Sequence, residues 1–159
     1  MSIEDKIVQA DAHGLAFLQR LPRPLVFTNG CFDVLHLGHV TYLEEARELG
    51  ASLIVAVNTD DSVRRQDKGS DRPVNPLGDR MALLAALQSV DAVIAFDADT
   101  PLELIRQVHP DVLVKGGDWP VEQIVGAELV LDSGGEVVSI PFRHARSTTD
   151  LLTRIRAHR

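Results

Sequence analysis

His36 and His39 stand three residues apart around Gly38, shortly after the run Asn29-Gly30-Cys31-Phe32-Asp33. A neutral imidazole offers one ring N–H donor and a protonated one offers two, so a pair of rings on one small surface can hold the oxygens of a phosphoryl group. The apolar run ending at Thr28 reads as a strand, and the spacing predicts a helix opening near Leu37 or Gly38. The free N–H groups of that helix start and its positive dipole end then face the same point as both rings. Gly30 and Gly38 leave the backbone open to close approach. Donors already in place where charge develops are usually the largest catalytic contribution, so the chemistry expected at this corner is attack at phosphorus.

Three other uses fit the same residues. The histidines can cap a helix and satisfy core polar groups. Asp33, His36 and His39 form D-x-x-H-x-x-H, and two histidines one turn apart bind zinc when a third ligand converges on them. Cys31 beside a histidine is a nucleophile candidate, and a lone small residue in a tight turn is equally an ordinary packed thiol.

The elements that must position these side chains follow from periodicity. Leu25 to Thr28, Leu53 to Val57, Ala92 to Phe96, Val112 to Val114 and Val137 to Ile140 are short β-rich runs without polar alternation, as strands buried on both faces require. The segments between them are long enough for crossover helices, which predicts an α/β fold with a five-stranded parallel sheet. Val40, Leu43, Ala46 and Leu49 recur at helical spacing and stop at Gly50. Asn75 before Pro76 marks another helix start, and Thr100-Pro101-Leu102-Glu103 reads as a capping box. A helix through Ile7, Leu15 and Leu18 is expected before the first strand, and a last one from Thr148 to about Ala157. The polar stretch Arg64 to Asn75 reads as a mobile loop. In doubly wound sheets the ligand sits beyond the carboxyl ends of the strands where strand order reverses, and the histidine turn follows the first strand.

An apolar fraction of 45% and a formal net charge of −7 fit a globular chain without the positive field of a general nucleic-acid binder. The one cysteine cannot form an internal disulfide, MSIEDKIVQADAHG lacks the apolar block of a secretory leader, and no apolar run nears the roughly 20 residues that span a bilayer. These features predict a cytoplasmic protein that binds neither membrane nor nucleic acid. At 159 residues the expectation is a single domain over 1–159.

G-C-F-D-x-x-H-x-G-H resembles the signature of the HxGH nucleotidyltransferase superfamily, the cytidylyltransferase-like proteins. Further strings match in order: Val57-Asn58-Thr59-Asp60, Lys68-Gly69 with Arg72-Pro73-Val74, Arg80, Val90-Asp91, Lys115-Gly116-Gly117-Asp118-Trp119 and Ser147-Thr148-Thr149. The resemblance implies a Rossmann-like three-layer sandwich of nucleotidyltransferase type and direct transfer of a nucleotidyl group to a phosphate acceptor. KGSDRPVNPLGDR, VKGGDW and STT are most similar to the branch that adenylylates a heptose 1-phosphate. That likeness implies ATP and a sugar 1-phosphate as partners, a homodimer, and Mg2+ held mainly through substrate phosphates with no protein ligand to metal. It also implies that His36, His39 and Lys68 are catalytic, the imidazoles at the α-phosphoryl group and Lys68 closing over the triphosphate. Nucleotide contacts are implied at Asn29, Gly30, Cys31, Phe32, Gly38, Asn58, Arg80, Gly116, Asp118, Trp119, Ser147, Thr148 and Thr149, and acceptor contacts at Asp33 and Arg72. Arg72 and Arg80 also have neighbouring aspartates as ordinary ion-pair partners, and Ser147 is a natural helix N-cap. Two departures point away from cytosine: His144-Ala145-Arg146 stands where cytidylyltransferases carry R-T-x-G-I, so neither Arg143 nor Arg146 maps onto the motif, and Gln88 stands in the place of an arginine three residues before Asp91.

Overall fold

Val26 and Phe27 are neighbours in the first long strand, yet their side chains enter different cores. Successive strand residues point to opposite faces, so a run that is apolar at every position must be covered on both sides. The structure, a computed structural model, describes residues 1–158. The chain runs α1 (Ile3–Lys6), β1 (Ile7–Val8), α2 (Ala12–Gln19), β2 (Leu25–Gly30), α3 (Leu37–Glu48), β3 (Ser52–Asn58), α4 (Asp60–Arg65), α5 (Leu77–Ala85), β4 (Ala92–Phe96), α6 (Leu102–Val108), β5 (Val112–Gly116), a 3-10 turn (Val121–Gln123), α7 (Ala127–Asp132), β6 (Glu136–Ile140) and α8 (Thr148–Ala157). On one face Phe27, Ile54, Ile94 and Leu113 pack with Leu18 of α2, Ile105 of α6 and Val130 of α7. On the other, Val26, Val55, Val93 and Val114 pack with Leu43 of α3 and Leu84 of α5. Each such fully buried side chain contributes roughly 1.5–3 kcal/mol by leaving water.

All strand pairs are parallel, in the order β1-β4-β3-β2-β5-β6. The chain steps outward from β2 through β3 to β4, then returns to place β5 on the other side of β2, so strand order reverses between β2 and β5. There the ladder is short. β2 pairs with β3 as far as Gly30 with Val57, but with β5 only at Val26 with Val112 and Phe27 with Leu113. Beyond that point side chains bridge the gap: the Thr28 hydroxyl donates to the Val114 carbonyl at 3.0 Å and also bonds the buried Tyr42 hydroxyl. The splay of the two carboxyl ends opens the crevice in which the histidine turn lies.

The sheet has six strands where five were expected, because Ile7–Val8 pairs with Val93 and Ile94 along the outer edge of β4. Ile7 is therefore not in the expected first helix; the helix that holds Leu15 and Leu18 starts at Ala12, where Asp11 caps the N–H of Gly14 at 2.8 Å. Arg64 and Arg65 close α4 instead of opening a loop, since Thr59 caps that helix through the N–H of Ser62. The expected capping box at Thr100 does not form: Pro101 takes the N-cap position and Glu103 pairs with Arg106. The last helix, Thr148–Ala157, has the expected limits.

Candidate active site

The turn after β2 folds onto its own aromatic residue. Phe32 holds the left-handed conformation (φ 47°), and its ring lies 5.3 Å from that of His39 and against Gly30, where an added Cβ would come within 3.0 Å of it. His36 is the extended N-cap of α3, and its backbone N–H donates to His39 Nδ1 at 3.3 Å. The two imidazoles stack with centroids 3.8 Å apart. A Cβ on Gly38 would sit 2.9 Å from His36 Cε1, so this glycine makes room for the His36 ring, not for direct approach of a ligand to the backbone.

With Nδ1 of His39 accepting, the neutral ring carries its hydrogen on Nε2. Burial, then the neighbouring His36 and Lys68, push His39 down to about 4, and burial with Arg146 nearby lowers His36 as well. Both rings are thus neutral at pH 7. Among the described residues, His36 Nδ1 is the one buried side-chain polar atom without a hydrogen-bond partner.

The start of α8 meets the start of α3. Ser147 caps α8 through the N–H of Asp150 at 3.0 Å, and the Thr148 hydroxyl donates to the Val34 carbonyl at 3.0 Å, pinning the second helix end beside the first. Two positive helix ends and two neutral imidazoles therefore border one cavity of about 420 Å³. It is also lined by Asn29, Gly30, Cys31, Phe32, Asp33, Lys68, Arg72, Gly116, Ser147, Thr148 and Thr149. A second cavity of about 310 Å³, on the other side of Lys68, takes in Asn58 and Trp119. A third, of about 510 Å³, lies at the opposite ends of the strands around Arg23 and Asp111, which already pair with each other at 2.8 Å.

Several residues do other work than the sequence suggests. Arg80 is 0% exposed and donates to the carbonyls of Asn75, Cys31 and Asn58 and to the Asp60 carboxylate, so it cannot meet a nucleotide; it ties the turn after β2 to the end of β3. Asp33 accepts from Arg72 and from the N–H groups of Val74 and Asn75. Burial would raise its carboxyl, but the backbone bonds and Arg72 hold it below the usual range. The pair anchors the loop that bears Lys68. Because that carboxylate is fully engaged and the rings stack, Asp33, His36 and His39 do not converge on a metal; among the described residues no group of three or more His, Cys, Asp or Glu could hold one. The Cys31 thiol faces Lys68, Asn58 and Gln66, not an imidazole, which removes the cysteine–histidine nucleophile. Asp118 is exposed and borders neither crevice cavity. Lys115, Tyr42, Phe142 and Arg146 also line the histidine cavity, though none is among the residues expected there; Lys115 and Arg146 lie within strings compared with the family signature.

The cytidylyltransferase-like family profile matches residues 27–149, from within β2 to the first residues of α8. The chain belongs to the cytidylyltransferase-like family. Among its relatives, the D-beta-D-heptose 1-phosphate adenylyltransferase of Bordetella bronchiseptica is 62% identical over 137 residues, covering 86% of this chain and 85% of the relative. The bifunctional protein HldE of Haemophilus ducreyi is 58% identical over 135 residues, but this chain spans only 28% of that protein. In structure, the lipopolysaccharide core biosynthesis protein of Thermoplasma volcanium superposes with a TM-score of 0.61 at 30% identity, over 77% of this chain and 98% of that one.

Proposed function

We propose that the chain is an adenylyltransferase that moves AMP from ATP to D-glycero-β-D-manno-heptose 1-phosphate, giving ADP-heptose and pyrophosphate for lipopolysaccharide core synthesis. An oxygen of the sugar phosphate bonds to the α-phosphorus, the bond from that phosphorus to the β-phosphate oxygen breaks, and the electron pair leaves with pyrophosphate. No proton has to move and no covalent enzyme intermediate forms, so catalysis is positioning and electrostatics. His36 and His39 donate to the α-phosphoryl oxygens. Ser147, Thr148 and Thr149 with the α8 amides receive the departing phosphates, and Lys68 closes over them.

The observation that carries this reading is the juxtaposition of two neutral imidazoles with two helix N-termini at the strand-order reversal. The choice of ATP and heptose 1-phosphate is supported by the 62% identity to a relative bearing that name. Mg2+ would neutralise triphosphate charge and would be held mainly through phosphates and water, since Asp33, the carboxylate beside the histidines, is already paired with Arg72. We read the chain as one cytoplasmic domain, active as a homodimer; no helix among the described residues is long and apolar enough to cross a membrane, and α8 keeps Ile155 exposed with no residue buried.

Pyrophosphate release with ATP or CTP, each offered with heptose 1-phosphate and with glycerol phosphate, tests the assignment. ATP with heptose 1-phosphate should be fastest; a preference for CTP overturns it. Sedimentation at the mass of one chain overturns the dimer.

A further inference from the structure

Five residues line both cavities of the crevice: Asn29, Gly30, Cys31, Lys68 and Lys115. The transfer proposed above brings two anionic phosphates within bonding distance, and their repulsion must be offset where they meet. Of the five, only the two lysines carry positive charge. Every ion pair among the described residues uses an arginine, which leaves both lysines without a carboxylate partner.

The lysines are held differently. Lys68 belongs to the polar loop and reaches the shared wall through its Nζ, 3.3 Å from Cys31 Sγ. Lys115 is part of β5, in register with Ser139 of β6, and its Nζ lies 5.5 Å from the Trp119 ring centroid. Its backbone is therefore fixed by the sheet whether or not the loop closes, and its ammonium stays within reach of the shared wall. The cavity on its far side has the lining a polyol needs: Trp119, half exposed, offers a flat apolar face, and Gln66, Gln123 and Asp99 offer amide and carboxylate groups to hydroxyls.

We infer that Lys115 is a catalytic residue that holds the attacking phosphate of the sugar, with the sugar itself in the Trp119 cavity and the α-phosphorus in the histidine cavity across the wall. Burial, then Lys68, lowers the Lys115 ammonium below the ordinary lysine range, and an arriving phosphate relieves the repulsion between the two. This rests on the proposed reaction in taking the acceptor to be a sugar phosphate and the α-phosphorus to sit at the imidazoles.

The test compares Lys115→Met, which keeps length without charge, with Lys115→Arg, after circular dichroism has shown both folded. Lys115→Met should lower kcat/KM for heptose 1-phosphate about 10- to 100-fold, as loss of one charge-assisted contact does, with KM for ATP within about threefold of the unaltered chain. Lys115→Arg should recover most of the loss. Equal weakening of a non-hydrolysable ATP analogue, or acceptor kinetics changed less than about threefold, overturns the inference. If the unaltered chain does not turn over heptose 1-phosphate, the proposed reaction fails on its own. The role of Lys115 is then decided by calorimetric binding of inorganic phosphate to the analogue-loaded protein, which must still weaken about tenfold in Lys115→Met.

Discussion

The backbone N–H of His36 donates to Nδ1 of His39, so the first histidine of the pair sets the tautomer of the second. A hydrogen bond to one ring nitrogen decides what the other can do, and here it leaves Nε2–H of a neutral ring as the free donor. The two imidazoles are thus one device: His36 supplies the N-cap geometry and a ring, and His39 supplies a donor whose direction is fixed by the cap.

Replacement of His39 should separate binding from turnover. His39→Ala is expected to lower kcat by roughly 10²–10³, the usual cost of one preorganised donor at developing charge, with the circular dichroism spectrum unchanged. His39→Gln places an amide N–H near the position of Nε2 and should lose only about tenfold. Equal losses in both variants would mean that the ring, not the donor, matters.

Stability should fall on acidification within a defined window. His39 titrates near 6.5 in the unfolded chain and at about 4 in the folded one, so between these values the unfolded state binds more protons and acid favours it. The lowered His36 adds in the same direction. Urea unfolding should show a loss on the order of 2 kcal/mol between pH 7 and pH 5 that His39→Gln largely removes. A flat profile for the unaltered chain over that window would contradict the burial described.

Much of this architecture is legible in sequence because it rests on local rules. Uninterrupted runs such as Leu53 to Val57 can only be strands covered on both faces, and Ser147 with Asp150 marks the last helix start to the residue. What the sequence hides is set by distance. Ile7 and Val8 form a strand only because the edge of β4 is free to pair. Arg80 looks like a surface cation until three carbonyls from separate segments and Asp60 converge on it. Phe142 and Arg146 reach the cavity from the connection after β6, which carries no periodic signal.

Arg80 should matter to stability and not to ligand contact. Arg80→Met removes a fully buried guanidinium and leaves the Asp60 carboxylate and three carbonyls without their donor. Breaking a buried pair from one side costs roughly 3–5 kcal/mol, and the partial exposure of Asp60 moves the expectation to the lower end. The urea midpoint should drop accordingly, while the protein that remains folded binds an ATP analogue within about threefold of the unaltered chain. A loss of analogue affinity without a drop in the midpoint would return Arg80 to the nucleotide site.

Asp33 should act through the loop it holds. Its carboxylate accepts from Arg72 and from the N–H groups of Val74 and Asn75, and the same segment carries Lys68 to Cys31. Asp33→Asn keeps the size but removes the charge and one acceptor, so Arg72 is left buried without a counter-ion and the segment from Gln66 to Asn75 loses its anchor. Limited proteolysis should then cut within 66–75 at least about tenfold faster, and kcat/KM should fall because Lys68 is no longer held at the wall between the cavities. The carboxyl is held below the usual range in the folded chain, so the anchor is complete above the unfolded value near 3.8 and is lost only as pH falls through the lower folded one. Cleavage of the unaltered chain should therefore stay slow at pH 5, where His39 has already begun to weaken the fold; rapid cutting of this segment at that pH would show that another group holds the loop.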